Sequence, residues 1–112
     1  MWVVVENDRS GLLEKAVLFD SESEAAKYAL YRQLQDIDFS DLDQAGLDQV
    51  EVEELKTLLK SLVSQNKYIE AYKEFYGFYW QISFENSVSY EQISPAPKEE
   101  LDACILQELE SI

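Results

Sequence analysis

"NKYIEAYKEFYGFYWQISFE", Asn66 to Glu85, carries two periodicities at once, and the fold turns on where one yields to the other. Tyr68, Tyr72, Phe75 and Tyr76 recur at helical intervals, with Glu70 and Glu74 interleaved. Gly77 then stands where a helix ends on a glycine C′ residue. After it, "FYWQISFE" alternates: Phe78, Trp80, Ile82 and Phe84 against Tyr79, Gln81, Ser83 and Glu85. That is the two-residue period of a strand. The reading is a helix to Gly77, a strand over 78–85, a turn at "ENS", and a weaker returning strand in "VSYEQI".

Upstream, "WVVVE" (Trp2–Glu6) is short and β-branched, and "NDRSG" (Asn7–Gly11) is dense in turn formers. "LLEKAVLF" (Leu12–Phe19) returns, so the chain opens with a β-hairpin. A helix is expected from about Ser21 to Gln35, with Glu24 three residues after Ser21 as in a capping box. "SDLDQAG" could form one turn from Ser40 to Gly46. A longer helix follows with Asp48 as N-cap, its apolar stripe running through Val52, Leu55, Leu58, Leu59, Leu62 and Val63. The chain either continues this helix or starts another at Asn66. Downstream, Pro95 and Pro97 mark a boundary before a last helix bearing Leu101, Cys104, Ile105, Leu109 and Ile112.

The order is ββα, a helical insertion of one to three pieces, then ββα. It predicts an α+β fold: a small antiparallel sheet of two hairpins with covering helices, in a single domain spanning 1–112. At 112 residues and 46% hydrophobic, the chain has enough apolar material for its own core. Cys104 is the lone cysteine, so no intrachain disulfide can form; its apolar neighbours suggest a buried structural thiol. No signal peptide or membrane span is visible, and a reducing, cytoplasmic setting is expected.

Charge is the other dominant feature. Against 9 Lys and Arg stand 23 Asp and Glu, a formal charge of −14. Such a charge repels nucleic acid and anionic membranes, so neither is expected as a direct partner. The eight acids Asp36, Asp38, Asp41, Asp43, Asp48, Glu51, Glu53 and Glu54 run without an intervening cation. Calcium is the first chemistry to test against them. In the EF-hand pattern Asp41, Asp43 and Gly46 match, but Ala45 supplies no oxygen at the fifth position. Val52 then stands where the bidentate Glu is needed, and starting at Asp36 is worse, with Asp41 in the glycine position. No metal site is expected. Histidine is absent, no serine lies in a nucleophile elbow, and the glycines form no phosphate-cradling loop, so neither catalysis nor a cofactor is expected.

Two readings remain for the acids. Those opening a helix cap free amides and complement its dipole, and a solvated acidic face is the ordinary outcome. The breadth of the excess, which extends to Glu99, Glu100, Asp102, Glu108 and Glu110, points beyond capping to a basic protein partner. In charge and size alone the chain resembles the acidic inhibitors among anti-restriction, anti-CRISPR and toxin-immunity proteins, some of which imitate nucleic-acid phosphates. That resemblance implies a nuclease or nucleic-acid-binding protein as partner and assigns no residue roles. The aromatic run is read as a stripe on the sheet or as a binding face through Tyr68, Tyr72 and Tyr76. As a binding face it would suit a structural or accessory subunit, or a homodimer.

Overall fold

The computed structural model describes residues 1–8, 10–37, 48–82, 87–94 and 101–112, and within 80–82 the backbone alone. It is an α+β fold: a three-stranded antiparallel sheet of order β2-β1-β3, with helices on one face. The opening hairpin forms as expected. β1 (Trp2–Asn7) pairs with β2 (Leu13–Phe19), Trp2 opposite Phe19 and Glu6 opposite Lys15, with an irregularity after Glu6. Asp8 builds the turn: its Oδ1 accepts from the N–H groups of Ser10 and Leu12, both at 2.9 Å, and from Ser10 Oγ at 2.7 Å. These bonds, the Ser10 hydroxyl first, hold its carboxyl below the ordinary value. Gly11 takes φ +85°, which a side chain would resist.

α1 (Glu22–Asp36) starts where the capping pattern puts it, with Ser21 Oγ accepting from Glu24 N–H at 3.2 Å. Ala25, Ala26 and Ala29 are fully buried, small enough to bring the helix close to the strands. α2 (Gln49–Ser64) is capped by Asp48, which accepts from Val50 N–H at 3.1 Å. It buries Val52, Leu55 and Leu59, half-buries Leu62, and leaves Leu58 and Val63 of the expected stripe exposed. The helix stops in a Schellman motif. Asn66, at φ 60°, donates to Val63 O, and Lys67 N–H donates to Leu62 O at 2.9 Å. A separate helix, α3, then begins. The expected turn over Ser40–Gly46 lies outside the described residues.

Among the described residues the first strand of the second expected hairpin is absent. α3 spans Tyr68–Ile82, running through Gly77 and through Phe78–Ile82, where a strand was expected; 83–86 lie outside the described residues. Tyr72, Phe75 and Tyr79 form one buried stripe at spacings of three and four, and Tyr79 is 1% exposed. Burying that stripe outweighs the cost of about 1 kcal/mol for glycine in a helix interior. The strand expected in "VSYEQI" does form, as β3 (Ser87–Gln92). It pairs with β1 on the side away from β2, Trp2 opposite Gln92 and Val4 opposite Tyr90.

The core lies between the inner sheet face and the helices. Val4 and Val88 meet the alanines of α1 and the α3 stripe, while α2 packs on the far side of α3. The last helix, α4 (Leu101–Glu110), buries none of its side chains. Cys104 is therefore exposed, not the buried thiol expected, because its apolar neighbours on α4 meet no core. No described helix is long and apolar enough to cross a membrane.

Candidate functional site

Apart from Asp36 on α1, the described acids of the stretch lie at the start of α2. Asp48 is occupied as the cap. Glu51, Glu53 and Glu54 project from the first two turns and are all exposed. Glu53 meets Lys56 Nζ at 3.4 Å and Gln49 Nε2 at 3.4 Å. Among the described residues no cation stands within 4 Å of Glu51 or Glu54. Such carboxylates keep their hydration and their field, and both remain available to a cation brought from outside. Asp38, Asp41 and Asp43 lie outside the described residues.

Asp36 is separated from this group in role. It ends α1, where Arg32 reaches it at 3.7 Å and also pairs with Glu6 on β1. Burial raises the Asp36 carboxyl above its ordinary value, against the opposing pull of Arg32. Glu6, only 7% exposed, holds the guanidinium through a direct hydrogen bond, which raises the Arg32 pKa further. Asp36 belongs to a structural cluster joining helix and sheet. Nothing local in the sequence signals the Glu6–Arg32 pair, because 26 residues separate its members.

The aromatic run is mostly inward. Tyr72 is 8% exposed, its ring stacked on Tyr76 at 5.3 Å and tilted on Tyr90 at 4.5 Å. Tyr76 is half-buried. Tyr68 is half-buried beneath Lys27, whose Nζ lies 5.0 Å from its ring centre, and its hydroxyl donates to Asn66 Oδ1. Of the three tyrosines proposed for a binding face, Tyr72 is thus core, and the others offer only partial surface. Among the described residues, no three of His, Cys, Asp and Glu converge as a metal would require.

Comparison with protein-family models, with curated proteins and with solved structures gave no match.

Proposed function

We propose that this chain is a non-enzymatic binding protein that engages a basic protein surface through the acidic face opened by α2. The observation that carries the reading is the pair Glu51 and Glu54: exposed, without a cation within 4 Å among the described residues, on a helix anchored in the core by Val52, Leu55 and Leu59. The net charge of −14 extends that local field and steers cationic partners toward it. A Lys- and Arg-lined surface, such as the groove of a nuclease or other nucleic-acid-binding protein, is the chemistry this array fits.

Charge reversal is the test. Glu51 and Glu54 are the positions to change, since reversing Asp48 would also remove a helix cap. The wild-type chain, immobilised at low ionic strength, should capture a basic protein from the source cell or its host and release it as salt rises. The Glu51→Lys/Glu54→Lys variant should capture none of it while keeping its fold by circular dichroism, its melting temperature lowered only by the small loss of an acid from the first turn of α2. Equal capture by the variant would remove the acidic face from the account.

A further inference from the structure

The sheet has two edges, and they are treated differently. On β3 the outward backbone groups of Val88 are engaged, its N–H by the Tyr79 hydroxyl at 2.9 Å and its carbonyl by Gln33 Nε2 at 2.8 Å. The ladder shows which groups β2 turns outward. Ile93 N–H donates to Met1 O at 2.9 Å, so Met1, Val3 and Val5 bond toward β3. Trp2, Val4 and Glu6 then bond toward β2, where they meet Phe19, Val17 and Lys15. The N–H and C=O groups of Glu14, Ala16 and Leu18 therefore point away from the sheet. Among the described residues these groups have no hydrogen-bond partner. All three residues are exposed, Leu18 at 57%.

Edge strands are commonly kept from pairing by proline, by a bulge or by a guarding charge. β2 has no proline or glycine from Leu13 to Phe19, and its pairing irregularity lies at its start, opposite the step after Glu6. Lys15 is turned onto its own chain, its Nζ 5.9 Å from the Tyr28 ring centre. α1 meets β1 and β3 more extensively than β2, so the helical layer lies back from this edge. The β2 edge is open.

The residues of β2 select a second copy as its occupant. With Glu14 offset by Lys15, the strand is neutral within a chain of −14. Two such strands joined about a twofold axis normal to the sheet must draw their hydrogen-bonded pairs from the outward set. The centres near the middle of the strand are Lys15, Ala16 and Val17. Centred on Lys15, the two lysines face each other; centred on Val17, Glu14 faces Asp20. Centred on Ala16, Glu14 faces Leu18, Lys15 faces Val17 and Leu13 faces Phe19, so no like charges stand opposite.

We propose that the chain dimerises by pairing β2 with β2 of a second copy, antiparallel and centred on Ala16. The two sheets become one, of order β3-β1-β2-β2-β1-β3, with the helices of both copies on the same face. Glu14 with Leu18 at each end, and Ala16 with Ala16 between them, exchange about six backbone hydrogen bonds. The pairing uses β2 alone and does not rest on the basic-partner reading.

Sedimentation velocity on the full chain over a concentration series should show a dimer whose population increases with salt, because two chains of −14 repel each other until screened. Leu18 tests the register, since it is exposed in the monomer and faces Glu14 of the other copy at both ends. Leu18→Glu sets carboxylate against carboxylate, whereas Leu18→Lys sets opposite charges together. The lysine variant should associate about tenfold more tightly than the glutamate variant. Ala16→Pro removes an outward N–H without breaking a bond to β1, and should give a monomer with unchanged circular dichroism. A wild-type chain monomeric at every concentration, a dimer that Ala16→Pro leaves intact, or equal association of the two Leu18 variants would each overturn the pairing. So would a chain that stays monomeric alone and takes an extended peptide of another sequence along β2.

Discussion

The backbone N–H of Val88 donates to the phenol oxygen of Tyr79 at 2.9 Å, and this bond ties the outer edge of the sheet to α3. The carbonyl of the same residue accepts from Gln33 Nε2 on α1 at 2.8 Å. Two helices thus satisfy an edge-strand peptide that would otherwise be buried without partners. Removing the hydroxyl alone, in Tyr79→Phe, leaves a buried donor unpaired with almost no change in volume. Stability should fall by about 1–3 kcal/mol, measurable by urea denaturation.

Gly77 discriminates between the helix observed and the helix end expected from sequence. A Cβ added there meets nothing within 4 Å, and the residue lies inside α3. Gly77→Ala should therefore stabilise the protein by about 0.5–1 kcal/mol. A C′ glycine at positive φ would give the opposite sign. Thermal unfolding of the variant decides between them.

Asn66 holds the left-handed turn between α2 and α3. A β-branched residue is strained there, so Asn66→Val should cost about 1–2 kcal/mol, whereas Asn66→Gly should be close to neutral. Chemical denaturation of the two variants side by side would show the contrast.

Tyr90 and Tyr72 make the fold sensitive to alkali. Burial pushes the Tyr90 phenol up to about 12, assisted by its hydrogen bond to Glu22, and burial raises Tyr72 as well. The neutral phenol is thus favoured in the folded chain. Its contribution is complete below the unfolded value of about 10 and is lost as pH rises through the folded value. Stability should decline from about pH 10 to pH 12, and Tyr90→Phe should flatten that decline. Unfolding midpoints measured across this window would show it.

What the sequence made legible was set by local chemistry. The turn at Asp8 and Gly11 and the Ser21 and Asp48 caps need only neighbours a few residues away, and each appears where expected; the α2 stripe does so at Val52, Leu55 and Leu59 but not at Leu58 and Val63. Phe78–Ile82 was misread because Phe78, Tyr79, Trp80 and Ile82 place large apolar or aromatic side chains at positions that fit either period. The deciding contact, Tyr79 with Val88, is made to another element. The same distinction runs through the candidate site. Exposure of Glu51, Glu53 and Glu54 follows from their positions on the helix, whereas the engagement of Asp36 with Arg32 and Glu6 depends on how α1 crosses β1. The α4 pattern was visible too, but amphipathic spacing says only that a surface is needed, not which one.

The most direct test of the acidic-face account is a calorimetric titration of this chain with its captured partner at low and at high salt. If Glu51 and Glu54 contribute through charge, the affinity falls steeply as salt rises, and Glu51→Lys/Glu54→Lys abolishes the low-salt binding. An affinity that stays constant across the salt range, or that survives the charge reversal, would contradict it.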